Sequence, residues 1–235
     1  MLLDFLYTQD WRYVIMQFLL SVPVIMLILS VHEYAHGLIA KKLGDPTAYN
    51  LGRLTINPIK HIDPIGFVMF LLIGVGYAKP VPISSRNFKK PRRDMALVGA
   101  AGPIANIILA LIFLTIFKLF TLFLPMIDAS GIAWAATASY FFMYILKIGV
   151  FYNIAFALFN LIPAPPLDGS RILYAFLPSK ILFKVQQYER YFFYGVLIIM
   201  LLFSILGISI ISAVTSFFVN LLFLLFRMPL IAYMI

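Results

Sequence analysis

Long runs without a charged residue constrain this chain more than any other feature. Tyr13 to Val31 and Tyr191 to Phe226 contain no Asp, Glu, Lys or Arg. A helix needs about 20 apolar residues to cross the hydrocarbon of a bilayer. Hydrophobic residues make up 63% of the chain and charged residues 11%, more apolar surface than a soluble domain of this size can bury. The sequence therefore predicts an all-α polytopic membrane protein, a bundle of about 4–6 transmembrane helices.

Turn residues divide the chain into predicted helices of a single integral-membrane domain, residues 1–235. Gly44, Asp45 and Pro46 end the first helix, and a break near Gly207 divides the uncharged C-terminal run. Whether that run crosses the membrane twice, or once with an additional interfacial helix, stays open. The predicted helices are residues 11–43, 95–120, 133–163, 189–206 and 208–227.

The region between the first two long helices, residues 45–92, has a different composition. Residues 48–59 alternate weakly between apolar and polar side chains and contain turn residues, a pattern that favours short strands. Residues 64–78 are uncharged and rich in glycine, and at about 15 residues they barely reach across a bilayer. We expect a small β-hairpin and a re-entrant segment, which is tolerated where protein or a water-filled cavity surrounds it.

The net charge of +9 is concentrated at the ends of the apolar runs. That distribution is typical of membrane proteins, in which basic residues flank the transmembrane segments and set their orientation. We therefore expect contacts with the lipid bilayer and none with nucleic acid. The positive-inside rule places the basic loops 41–93 and 171–190 in the cytoplasm and the N-terminus outside. The first apolar run lacks a basic leader and a small-residue cleavage pattern, so we expect a retained helix there and no signal peptide.

Two of the three histidines and one of the two glutamates lie together as His32, Glu33 and His36, in the sequence His-Glu-Tyr-Ala-His. Positions four apart share a helix face, so both imidazoles can reach one metal ion. Glu33 then lies close enough to act on a water at the metal without being a ligand. Placing such groups within a membrane costs free energy, so their presence there indicates a function.

A catalytic zinc takes three protein ligands, and the chain has no cysteine. The candidates for the third ligand are His61, Asp63, Asp94 and Asp168. His61 and Asp63 lie in a predicted loop, where an exposed polar residue needs no explanation, and Asp94 follows two arginines with which it can pair. Asp168 follows the prolines that break a predicted transmembrane helix, and a carboxylate there needs a cation. A helix-end aspartate solvated by water is the alternative.

Three separated motifs resemble those of the site-2 proteases, zinc metalloproteases that cut within membranes. The His-Glu-Tyr-Ala-His sequence resembles the zinc-binding helix of that family. Residues 160–169, Asn-Leu-Ile-Pro-Ala-Pro-Pro-Leu-Asp-Gly, resemble its second signature, and residues 102–106, Gly-Pro-Ile-Ala-Asn, resemble its Gly-Pro…Asn element. The resemblance covers about residues 14–190. This resemblance is to a short form of the family, because the chain has no room for an inserted PDZ domain or an appended CBS domain.

The resemblance implies an intramembrane zinc endopeptidase. His32, His36 and Asp168 would bind one Zn²⁺ per chain. Glu33 would activate the attacking water as general base, and Asn160 would position or stabilise the reacting carbonyl. The implied substrate is a peptide bond in or near a transmembrane segment of a membrane-anchored protein. We expect a bacterial or archaeal cell membrane, with the active site toward the cytoplasm.

Two other functions remain open at the level of sequence. A membrane metal-ion transporter would use the same three ligands, but transporters usually show inverted repeats and several polar helices, and transport has no clear need for Glu33. An inactive scaffold that binds membrane helices has no need for the intact motif. The oligomeric state is open, as are the roles of Asn106, Asn153 and His61.

Overall fold

Long helices dominate the computed structural model, which describes residues 11–73, 77–206 and 210–228. Three of them contain a stretch long and apolar enough to cross a membrane, namely Ile15–Lys42, Pro91–Ala129 and Ala133–Asn160. The prediction of a helical membrane protein is therefore confirmed. Three candidate spans lie among the described residues, and the predicted count of about 4–6 transmembrane helices stays a prediction. The helices are α1 (Trp11–Lys42), α2 (Thr47–Asn50), α3 (Pro64–Ile73), α4 (Pro91–Thr121), α5 (Leu124–Ala129), α6 (Ala133–Asn160), α7 (Asp168–Tyr174), α8 (Ser179–Gln187), α9 (Glu189–Ile205) and α10 (Ile210–Leu225).

The predicted β-hairpin between α1 and α4 is wrong. Within the described part of this region, strand pairing is limited to one antiparallel bridge, between Ile62 and Ala78. The remainder forms α2, α3 and two turns of 3-10 helix, Pro58–Lys60 and Ser85–Asn87. The physical reason is the density of prolines around the bridge, because each proline lacks the amide donor that a growing ladder requires. Gly74 and Gly76, which belong to the predicted re-entrant segment, lie outside the described residues. The predicted break near Gly207 also lies outside them.

Helix α4 lies at the centre of the packing and contacts α1, α6 and α7. Buried apolar side chains from α4, α6 and α10 form the largest core cluster, which includes Leu114, Val150 and Phe223. Large apolar side chains such as Leu19 and Ile108 remain exposed on the outer faces of the helices. A bilayer would cover these faces, because lipid tails solvate apolar side chains.

The chain reverses sharply between α6 and α7. Helix α6 ends at Asn160, and a proline-rich turn leads to Asp168, the first residue of α7. The turn is tight enough that a Cβ at Gly169 would collide with the carbonyl oxygen of Leu161, so only glycine fits there. The reversal places Asp168 inside the protein, where 6% of its surface is exposed.

Candidate active site

Helix α1 presents His32 and His36 on one face, as the spacing of four residues predicts. Both side chains are buried, with 3% of each residue exposed. Their Nε2 atoms lie 3.0 Å apart. Glu33 is the neighbouring residue on the helix and has 9% of its surface exposed.

Asp168 completes a triangle with the two imidazoles. Its Oδ2 atom lies 3.0 Å from Nε2 of His32 and 3.0 Å from Nε2 of His36. Within the described ranges, these three residues are the one group of His, Asp or Glu side chains close enough together to hold a metal ion. The aspartate predicted from the broken helix therefore meets the histidine pair, although 136 residues separate it from His32.

The donor set fits a zinc ion. Zinc is bound by imidazole nitrogen and carboxylate oxygen at about 2.0–2.2 Å, so three such atoms at 3.0 Å from one another can all reach one ion. Nδ1 of His36 lies 2.7 Å from the carbonyl oxygen of Val98. A carbonyl only accepts, so Nδ1 donates and Nε2 of the neutral ring keeps its lone pair for a metal.

Helix α4 forms one wall of the triangle through a glycine. A Cβ added at Gly102 would lie 2.5 Å from Cε1 of His32 and 2.5 Å from Nε2 of His36. No other residue type leaves room for both imidazoles at that position. The Gly-Pro…Asn element was recognised in the sequence as a motif, but its contact with the histidines depends on how α4 and α1 pack.

The carboxylate of Glu33 is held from outside α1. Its Oε2 accepts a 2.8 Å hydrogen bond from the backbone N–H of Val81. Val81 belongs to residues 78–84, which we call the covering segment. Arg53 fixes the start of this segment by donating to the carbonyl oxygens of Lys79, at 2.9 Å, and Pro80, at 3.2 Å. Neither Arg53 nor Val81 has a local sequence pattern that predicts this contact.

Asn160 lies outside the three-residue group. It is the last residue of α6, and its side-chain Nδ2 donates to the carbonyl oxygen of Phe156 at 3.0 Å. The position is at the reversal that leads to Asp168. Its proposed action on a substrate carbonyl stays a prediction.

The remaining candidates for the third ligand have other partners. His61 is fully buried (0% exposed), so the expectation of an exposed loop histidine is wrong; its Nε2 bonds to the carbonyl oxygen of Thr55 at 2.8 Å. Asp63 caps α3 by accepting from two backbone N–H groups. Asp94 pairs with Arg93 at 2.8 Å and accepts from the backbone N–H of Lys90, the residue before α4.

An apolar cavity of about 270 Å³ adjoins the site. Its walls come from α1, α3, α6, α9 and α10 and from the residues around the bridge. Phe156 lines the cavity and also packs edge-to-face on the ring of His32, with 5.2 Å between ring centroids. No sequence pattern predicts this cavity, because its aromatic and aliphatic residues resemble ordinary lipid-facing side chains.

The family model described as peptidase family M50 matches residues 20–203 of this chain. The chain belongs to peptidase family M50, the site-2 protease family. The match includes both histidines of α1 and the Asp168 region, so the resemblance seen in the three motifs is confirmed.

Three relatives illustrate the similarity to other M50 proteins. The Bacillus subtilis protein "Putative zinc metalloprotease YwhC" is 44% identical over 172 residues, which are 72% of this chain and 75% of that protein. The Mycolicibacterium smegmatis protein "Putative zinc metalloprotease Rip2" is 27% identical over 65% of this chain, and "Zinc metalloprotease MJ0392" of Methanocaldococcus jannaschii is 28% identical over 85%. The matched residues span about half of the latter two proteins, 55% and 47%. No solved structure matches the chain significantly.

Proposed function

We propose that this M50 protein is an intramembrane zinc endopeptidase that hydrolyses a peptide bond in or near a transmembrane segment of a membrane-anchored protein. The observation that carries the proposal is the convergence of Nε2 of His32, Nε2 of His36 and Oδ2 of Asp168, each 3.0 Å from the others. These three residues hold one zinc ion per chain. The names of the relatives support the choice of metal.

Glu33 is the general base of the proposed reaction. A zinc ion held by the triad supplies Lewis-acid chemistry, which makes a water more acidic and polarises a carbonyl group. Glu33 takes the proton of the attacking water and later delivers it to the leaving amine. Its Oε2 is occupied by the N–H of Val81, which fixes the side chain and leaves Oε1 for the proton.

Asn160 supplies the remaining polar group of the proposed reaction. Its Nδ2 carries two hydrogens, of which one donates to the carbonyl oxygen of Phe156. The second hydrogen stabilises the developing oxyanion. Removal of such a donor lowers kcat by on the order of 10²–10³ in comparable sites, so Asn160→Ala loses activity while its zinc content stays that of the wild type.

The substrate must expose its peptide bond before it reacts. A transmembrane helix keeps its backbone groups in internal hydrogen bonds, so the segment unwinds locally at the site. The cavity beside His32 accepts apolar side chains of the unwound segment, because its lining is mostly aliphatic and aromatic. This chemistry selects a hydrophobic stretch over a charged one.

The described helices work as a single catalytic unit in a multi-pass membrane protein. Three of them are long and apolar enough to span a bilayer, and Lys41 and Lys42 end α1 one and a half turns after His36. Basic residues favour the cytoplasmic side. We therefore place the active site toward the cytoplasm of a bacterial or archaeal cell.

The test is Glu33→Gln, which keeps an acceptor for Val81 but cannot take a proton. Membranes from cells that express the wild type are compared with those that express Glu33→Gln by sequencing of new peptide N-termini. We expect fragments cut within hydrophobic stretches in the wild type only, with one zinc per chain in both. Asp168→Ala is the metal-site control and loses both zinc and cleavage. Equal fragments from the wild type and Glu33→Gln would overturn the proposal.

A further inference from the structure

Four buried polar atoms on α1, α4 and α6 have no hydrogen-bond partner in the described part of the chain. They are Nδ1 of His32, Nδ2 and Oδ1 of Asn106, and Oδ1 of Asn153. Both asparagines are fully buried (0% exposed). An unpaired buried polar group costs free energy, so a cluster of them beside a proposed metal ligand requires a physical explanation.

Asn106 lies on the His32 side of the triad. Val98 contacts His36, and Gly102 contacts both histidines. Asn106 is the next position on the same face of α4, one turn or about 6 Å beyond Gly102. Since α4 passes His36 first and His32 next, this turn carries Asn106 to the end of the triad where His32 lies.

Asn153 approaches the same side of the triad from α6. The ring of Phe156, one turn later on α6, packs against the ring of His32. Helices α4 and α6 contact each other and are joined by a short connection, so they run antiparallel. A Cβ at Gly149 would lie 2.7 Å from the ring of Phe113, which sets the register of the two helices. Asn106 and Asn153 therefore both lie on the His32 side of that contact, at levels that differ by about 4–5 Å along the helices.

The two histidines differ in what holds their second ring nitrogen. Nδ1 of His36 donates to Val98. Nδ1 of His32 has no partner among residues 11–73, 77–206 and 210–228. Metal-bound histidines almost always donate this N–H to an acceptor, which fixes the ring and strengthens the ligand. Oδ1 of Asn106 and Oδ1 of Asn153 are unpaired acceptors, and the helix register argued above puts both on the His32 side of the triad.

We propose that Asn106 and Asn153 together position His32 as a metal ligand, by holding one buried water that accepts its Nδ1–H. A bridge is needed because no two of these atoms are hydrogen-bonded to each other. Buried waters typically bond to about three otherwise unsatisfied polar groups, and this cluster offers one donor from His32 and one acceptor from each asparagine. The inference rests on the proposed metal site but not on proteolysis.

The experiment measures zinc affinity of the purified full-length chain in detergent, by competition with a chelator. We expect Asn106→Leu and Asn153→Leu each to weaken zinc binding roughly 10–100-fold, with the melting temperature of the metal-free protein unchanged or raised. Asn220→Leu is the matched control, because its Oδ1 on α10 is also unpaired, and it keeps wild-type affinity. Unchanged affinity in the first two variants, or equal losses in all three, would overturn the proposal.

Smaller replacements test the bridge itself. Asn106→Ser and Asn153→Ala leave room for a further water in place of the amide, so they lose less affinity than the leucine variants and keep the protein folded. Losses as large as those with leucine would assign the contact to the amides directly and refute the bridge. A wild type that binds zinc but cuts nothing would instead refute only the protease function.

Discussion

The backbone N–H of Val81 donates to Oε2 of Glu33 over 2.8 Å. The proposed base is thus positioned by the covering segment as well as by its own helix. Two bonds from Arg53 fix this segment at the preceding residues, Lys79 and Pro80. The backbone N–H of Lys79 also donates to the carbonyl oxygen of His61 at 2.9 Å. The orientation of Glu33 therefore depends on a loop side chain twenty residues away in sequence.

Arg53→Ala should lower kcat roughly tenfold, equivalent to about 1.4 kcal/mol of transition-state stabilisation. Without the two bonds to the covering segment, Val81 no longer holds the carboxylate of Glu33 in one orientation. Zinc content should stay at the wild-type value, because Arg53 contacts none of the three proposed ligands. The measurement is the steady-state rate of cleavage of a substrate identified by sequencing new peptide N-termini, together with the zinc content of each variant.

Arg86→Ala, at an exposed arginine in the same region, is the control and should cleave normally. Arg53→Lys should recover little activity, since an ammonium group does not reproduce the geometry of the guanidinium. A normal kcat in Arg53→Ala would show that the covering segment keeps its position without the two hydrogen bonds from Arg53.

Gly102→Ala should weaken zinc binding at least as much as the loss of an outer hydrogen-bond partner, roughly 10–100-fold. The added Cβ would meet ring atoms of His32 and His36 at 2.5 Å, so the imidazoles or α4 must move. Gly195→Ala on α9 is the matched control, because nothing lies within 4 Å of its added Cβ. Wild-type affinity in Gly102→Ala would contradict the packing of α4 against the triad.

Ala155→Phe should lower kcat/KM roughly tenfold or more, mainly through KM, without loss of zinc. The larger side chain fills the apolar cavity that Ala155 lines and competes with the substrate for space. Ala138→Phe places the same side chain at an exposed position of the same helix and should be neutral. Equal kcat/KM in the two variants would exclude the cavity from substrate binding.

Asp45 should make the contact between the start of α2 and residues 84–87 sensitive to acid. Burial acts to raise its pKa, but hydrogen bonds from Thr47, Asn87 and Ser84 outweigh burial and hold the pKa below the ordinary 3.8. A lowered folded-state pKa stabilises the protein above 3.8, and this contribution is lost as the pH falls toward the lowered value. Melting temperatures measured against pH should therefore converge for the wild type and Asp45→Asn in acid and diverge above pH 4.

Asp128→Asn serves as the control for the acid series, because Asp128 is exposed. Its melting temperature should follow the wild type at every pH. A gap between wild type and Asp45→Asn that stays constant down to the lowest pH would contradict the assigned hydrogen bonds.

The part of the site that the sequence predicts well is the part set by local geometry and by the cost of burial. Two histidines four residues apart share a helix face whatever the fold. A carboxylate beside helix-breaking prolines in an apolar run requires a cation, which favours Asp168 among the candidate ligands. The structure brings these atoms together, while their role as zinc ligands stays a prediction.

The features that sequence reasoning missed depend on how distant segments pack. His61 looked like an exposed loop residue because its neighbours are polar and proline-rich, but the bridge between Ile62 and Ala78 buries it. The weak alternation of residues 48–59 suggested strands, yet prolines on both sides of the bridge stop the ladder. The contact of Gly102 with the histidines has the same origin, since it depends on the register of α4 against α1.

The order of synthesis gives the separation of the ligands a protective value. Asp168 follows His36 by 132 residues, so a ribosome adding 5–20 residues per second needs on the order of 10 s between them. During that interval the unfinished polypeptide carries Glu33 and both histidines but lacks Asp168, so the proposed zinc site cannot form. The proposed protease therefore cannot cut neighbouring nascent proteins at the insertion machinery until Asp168 has been synthesised.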